Sequence, residues 1–349
     1  MSGTTAPLAG LHIIEAVAGS VPDALRLAIG LCGRIAADLG ANVIRLEDGD
    51  CPQEEALFLH PGKRRFSVRA DAKPLMIRDL AAKADVLICD PLTAAALPQL
   101  DGGLVEVIIE MAQDTPVAGS EFTIGARSGL LDLVGDAARQ PLRIGGHQNA
   151  YAAGLAAYLA MTSGLLRRAG GEAPPPMTVG LLDVAVWLNW KTLAIADRSG
   201  VSPSRNGPNS EWTILPCADG YFALVYRVPE WPALMRFAAA ATLSEERFQT
   251  PAGRSRHRSE LNQILTKAFA GRSRADIRLG ALEHKLPLGP VWTPEELLGD
   301  PHMLAREFFH LGPEGGPARA RVPVRWNGAS FTPGADYRPV AGSSAMEFA

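Results

Sequence analysis

Between Arg143 and Ala160 the chain reads RIGGHQNAYAAGLAAYLA, and its polar groups crowd into the opening turn of that stretch. A glycine pair, Gly145-Gly146, leads directly into His147, Gln148 and Asn149, after which alanines and leucines take over. Two adjacent glycines let a backbone adopt positive φ or approach a ligand closely. An imidazole placed there could give or take a proton near neutral pH. The same turn could instead use its side chains to satisfy the orphan N–H groups of the helix that follows. Asn149 has the character of an N-cap. The other chemistry-bearing cluster is Lys63-Arg64-Arg65, whose plainest reading is a solvated basic turn.

The elements that must position these groups follow from the pattern of apolar residues. Gly10 to Glu15, Ala41 to Leu46, Ala84 to Cys89 and Leu104 to Ile109 are short apolar runs suited to buried strands. A helical pattern covers about 22–39 and stops at Gly40, and another lies around Lys73–Lys83. Strands alternating with helices predict an α/β fold with a parallel, doubly wound sheet. Tyr151 to Arg168 reads as an alanine-rich helix, and Thr178 to Ile195 as a second helical run beyond a proline-rich loop. Ser199 to Ser210 has linker composition and marks a domain boundary. Past it, TILPCADGYFALVY predicts a hairpin turning at Asp219-Gly220, followed by helical segments around 231–241 and 259–270. Trp212, Trp231, Trp292 and Trp326 read as packing residues.

Composition bounds the rest. The 349 residues are 47% hydrophobic, 20% charged and 6% aromatic, an ordinary globular profile long enough for two domains. A net charge of −3 gives no reason to expect a nucleic-acid partner. Cys32, Cys51, Cys89 and Cys217 are widely spaced and form no CxxC pair, so no zinc site or disulfide framework is expected. No apolar stretch reaches transmembrane length and the N-terminus lacks signal-peptide character, so the expected location is the cytoplasm.

Several blocks resemble the class III CoA-transferase family of CaiB/BaiF type, which includes formyl-CoA transferase, L-carnitine CoA-transferase and alpha-methylacyl-CoA racemase. PLAGLHIIE is similar to its LxGxxVLD strand, and DLGANVIRLE to its DLGADVIKVE. Gly62-Lys63-Arg64 matches the GKR of NRGKRS, and LGPVWTPEELLGDPHMLAREFF resembles GPVxTPEExxxDPHxxARxFF. The resemblance implies a large Rossmann-like domain (1–200), a smaller α/β domain (211–300) and a C-terminal return to the large domain (301–349), with two chains interlocked. It also implies coenzyme A as ligand, in the form of acyl-CoA. Lys63, Arg64, Arg65 and Lys73 then become candidates for its phosphates, and Gly145-Gly146 a loop covering the thioester end.

The same resemblance exposes departures. The family's VPxADxxAG block carries the catalytic aspartate, and alignment on Ala152-Ala153-Gly154 puts Ala150 at that position. In the transferases this aspartate attacks the thioester and carries a covalent intermediate; a methyl group cannot. The racemases' histidine aligns with Ser120, so two-base racemisation is not expected. Glu121, in Gly119-Ser120-Glu121-Phe122, is the nearest substitute carboxylate, with His147 as a second catalytic candidate. Asp48 stands where a basic residue is usual, and the ENFRPG arginine is absent from Cys89 to Ala94. The loop within Ala16 to Arg34 is longer than usual and reshapes the entrance to the CoA site. Three readings stay open. The chain is a nucleophile-deficient subunit, as a homodimer or paired with an aspartate-bearing homologue; or a transferase using Glu121; or an acyl-CoA binder with different or no chemistry.

Overall fold

The computed structural model describes residues 6–48, 51–100, 103–113, 119–202, 205, 212–310, 318–326 and 328–331. By contacts the chain divides into two compact units, one comprising 1–131, 143–202 and 302–349, the other 132–142 and 203–301. The expected linker over 199–210 lies largely outside the described residues.

The first unit is built on a six-stranded parallel sheet: β1 (His12–Val17), β2 (Asn42–Glu47), β3 (Arg64–Ser67), β4 (Val86–Cys89), β5 (Val105–Glu110) and β6 (Met177–Gly180). Their spatial order is β3-β2-β1-β4-β5-β6, the doubly wound arrangement, with its reversal between β1 and β4. Alternate strand residues enter different cores. Ile13, Val43, Val86 and Val107 face one side, Ile14, Ile44, Leu46 and Leu87 the other. Burial on both faces is why these strands read as continuous apolar runs.

Eight helices accompany the sheet among the described residues: α1 (Asp23–Asp38), α2 (Gln53–Leu59), α3 (Lys73–Ala81), α4 (Pro91–Ala96), α5 (Glu121–Arg127), α6 (Gln148–Ala169), α7 (Leu181–Leu188) and α8 (Trp190–Ser199). The helical run expected from Thr178 begins instead at Leu181, because Met177–Gly180 pairs with β5. Short apolar runs rich in β-branched residues satisfy either pattern, and here the open sheet edge decides.

α1 and α6 pack closely through small residues. A Cβ added at Gly154 would meet the Ala28 carbonyl oxygen at 2.7 Å and the Leu31 Cβ at 2.9 Å. Neither can retreat without moving a helix. Gly154→Val is therefore expected to cost about 1–3 kcal/mol of stability, as overpacking does. Urea titration checks this, and an unchanged midpoint would show that the two helices separate freely.

The second unit holds the expected hairpin, β7 (Thr213–Cys217) with β8 (Gly220–Leu224), joined by β9 (Gly289–Pro290). Helices α9 (Trp231–Ala238), α10 (Glu246–Gln249), α12 (Arg258–Phe269) and α13 (Arg274–Glu283) supply Leu234, Phe248, Leu265, Phe269 and Ile277 to its core around Phe222, with α11 (Pro251–Arg256) between α10 and α12 in the chain. Of the tryptophans read as packing residues only Trp231 is buried; Trp212, Trp292 and Trp326 are 60%, 37% and 44% exposed. No helix among the described residues is long and apolar enough to cross a membrane.

Candidate functional site

Helix α6 starts in the glycine turn, where Gly146 takes φ +73°. Its first N–H groups point out of the helix with no intrahelical acceptor. Two of them, from Asn149 and Ala150, donate to Oε1 of Glu121 at 2.8 and 3.2 Å. Glu121 itself opens α5, behind a capping box formed by Ser120 and Thr123. One carboxylate thus sits at the positive end of α6. Asn149, expected as the N-cap, lies inside the first turn, and the cap position falls to His147, whose side chain makes no capping bond.

The second oxygen of Glu121 is also engaged: Oε2 lies 2.8 Å from His147 Nδ1. The carboxylate is an acceptor, so Nδ1 carries a proton, and in the neutral form of the ring Nε2 is the lone-pair nitrogen. Nε2 has no partner among the described residues. The His147 side chain is 41% exposed, that of Glu121 12%. Tyr151 meets the His147 ring edge-on at 6.3 Å. Around the pair lies a cleft of about 420 Å³, to which Asp23, Ser120, Phe122 and Arg143 also contribute. Arg143 forms no ion pair among the described residues. It was not singled out from the sequence, since nothing in RIGGHQ distinguishes a cleft cation from an ordinary surface one. Ala150 is wholly buried among the residues of the α1–α6 core.

A second cleft, of about 410 Å³, opens at the carboxyl ends of the strands beside the β1/β4 reversal, where doubly wound sheets take ligands. Lys73 lies there, but its ammonium is bound 3.0 Å from Asp48 and donates to the Val17 carbonyl. Burial pushes the Lys73 ammonium below its ordinary pKa. Asp90 caps α4 through the N–H groups of Leu92 and Thr93 and accepts from Ala18 N–H. Oδ1 of Asp48 is buried with no hydrogen-bond partner among the described residues.

The basic cluster is placed differently from a solvated turn. Lys63 is wholly buried and donates to Glu15 Oε2 at 2.5 Å and to the Gly30 carbonyl at 2.7 Å. Arg45 completes the Glu15 carboxylate, and Arg65 pairs with Glu47 at 2.7 Å. Gly33 on α1 makes room for this network, because a Cβ there would overlap the Glu15 carboxylate. Arg64, at the start of β3, is half-buried with its guanidinium over the Phe66 ring. No phosphate reaches Lys63 without opening the Glu15 pair.

Glu47, Cys51 and His60 bring potential metal-ligand atoms within 4.8 Å of one another. The surroundings oppose a cation. Glu47 already serves Arg45 and Arg65, and His60 Nδ1 faces the Lys63 ammonium at 3.4 Å. Burial, reinforced by Arg45, holds the His60 imidazole well below its usual pKa. Metal-bound histidines ordinarily turn their other nitrogen to an acceptor rather than to a cation.

Comparison with known proteins adds three findings. The model of CoA-transferase family III matches residues 111–343. The chain is 26% identical to a succinate–glutarate CoA-transferase of Agrobacterium fabrum, over 86% of this chain and 84% of that one, and 24% identical to a succinyl-CoA–D-citramalate CoA-transferase of Chloroflexus aurantiacus, over 80% and 79%. Its fold is similar to the crystal structure of a CaiB/BaiF family protein from Brucella suis, with TM-score 0.79, 23% identity and 97% of each chain covered.

Proposed function

This chain belongs to CoA-transferase family III, and from that premise we propose that it binds an acyl-CoA but lacks the carboxylate needed for covalent transfer. CoA thioesters are the substrate class the family implies. The observation that carries the proposal is the state of the two candidate carboxylate positions. Ala150 has no ionisable group and no exposure. Glu121 has both oxygens committed, one to the amides of α6 and one to His147. A carboxylate stabilised by backbone N–H donors and a helix N-terminus is a poorer nucleophile, because attack on a thioester must first give up those bonds.

The relatives' names point to acyl groups that end in a second carboxylate, and Arg143, exposed and without an ion pair among the described residues, is a suitable anchor for one. Of the cations first assigned to the CoA phosphates, Arg64 alone is half-buried, whereas Lys63, Arg65 and Lys73 are buried in ion pairs with Glu15, Glu47 and Asp48. The exposed apolar side chains of Trp187 and Trp190 on α7 and α8 support assembly with a second family chain. That chain is either another copy or a homologue carrying the aspartate.

Calorimetry with CoA and succinyl-CoA, followed by exchange between succinyl-CoA and labelled glutarate, tests this. Binding without exchange is expected of the chain alone. Absence of binding to either compound would defeat the ligand assignment, and steady exchange would defeat the assignment as nucleophile-deficient.

A further inference from the structure

Resting on the acyl-CoA reading, we infer that His147, oriented by Glu121, is a general base that activates water, making the cleft a thioester-hydrolysing site. Capping of α6 needs only Oε1 of Glu121, which takes both amides. The contact of Oε2 with His147 Nδ1 adds nothing to the cap, and the imidazole bonds no backbone group of α6. What the contact does is fix the ring. It sets the proton on Nδ1 and leaves the Nε2 lone pair at the cleft, the arrangement in which a buried carboxylate orients a catalytic histidine. The carboxylate is nearly buried and the imidazole is partly open, which is the order of exposure that such a pair requires. Glu121 is the positioning residue and His147 the catalytic one.

The step balances without any further reagent. A water oxygen bonds to the thioester carbonyl carbon while its proton passes to His147 Nε2. The carbon–sulfur bond then breaks, and the departing CoA sulfur takes that proton, leaving the free carboxylic acid. The carbonyl oxygen gains negative charge in between. The Gln148 N–H at the first turn of α6 is a donor with no partner among the described residues, at the positive end of a 22-residue helix. No bond to the protein forms, consistent with the committed oxygens of Glu121.

Thiol release from succinyl-CoA is the assay, run beside calorimetric CoA binding on the same preparations. The wild type is expected to release CoA faster than buffer, and His147→Ala to lose about 10²–10⁴-fold, with part of the rate restored by added imidazole. Glu121→Gln separates chemistry from folding. Its amide oxygen can still accept from Asn149 and Ala150, but its NH₂ donates to Nδ1 and forces the proton onto Nε2. That variant is expected to keep its thermal midpoint and CoA binding, to lose a comparable rate, and to gain nothing from imidazole. A wild type that binds CoA without releasing thiol, or a His147→Ala variant as fast as wild type, would overturn the inference. Failure to bind CoA at all would instead remove the acyl-CoA reading beneath it.

Discussion

Glu15→Gln is expected to cost about 3–5 kcal/mol of stability, the penalty of breaking one partner out of a buried ion pair. Glu15, Arg45 and Lys63 have no solvent exposure. The carboxylate answers two cations from two neighbouring strand segments, so its neutral replacement leaves both buried charges facing an amide. Gln is close to isosteric, which keeps the loss from being one of packing. Lys63 adds a pH signature. Burial, partly offset by Glu15, brings its pKa from 10.5 down to about 8. Between about pH 8 and 10.5 the unfolded chain therefore binds a proton that the folded one has released, and the Lys63 contribution to stability rises with pH across that window. Without Glu15 the Lys63 pKa falls further, and the rise begins at lower pH. Urea titrations of both forms between pH 6 and 10 on the usual scale read out the offset and the shifted window; coincident curves would mean the network contributes nothing.

Ala150→Asp is the second large effect. If the chain had lost only one residue of a family site, restoring the carboxylate would restore transfer. The structure gives a different expectation. The Ala150 side chain is enclosed by the α1–α6 core, and its own N–H is held by Glu121. A carboxylate there would be desolvated and would lie near the Glu121 carboxylate, which accepts from the residue's own N–H at 3.2 Å. The favourable helix dipole offers about 0.3–1 kcal/mol, less than the several kcal/mol that a buried unpaired charge costs. The variant is expected to lose about 2–4 kcal/mol of stability and to show no exchange between succinyl-CoA and glutarate. A stable variant that exchanges would show that the position opens onto the ligand.

Much of the sheet was legible because strands buried on both faces are continuous apolar runs; β1, β2 and β4 have that form, and β5 is buried at alternate residues. β3 was not, since its first two residues are Arg64 and Arg65 and only four residues pair. The signal that could have placed the cluster inside lies in its partners. Glu15 sits inside the apolar strand β1 and Glu47 ends β2, and an acid at such a place asks for a buried cation. β6 was hidden within a run that also fits a helix. In the site, Glu121 and His147 were each visible as polar residues in otherwise plain sequence. Their contact was not, because a carboxylate capping another helix leaves no local pattern at a separation of 26 residues. Asn149 had the composition of a cap, and lost that place to a charged group reaching in from α5.

The most direct test is the mass of the intact chain, and of its Glu121 peptide, after incubation with succinyl-CoA and rapid acid quench. An unmodified chain is expected, with bound succinyl-CoA seen separately by calorimetry. A succinyl or CoA adduct on Glu121 would contradict the claim that this chain handles its thioester without a covalent intermediate.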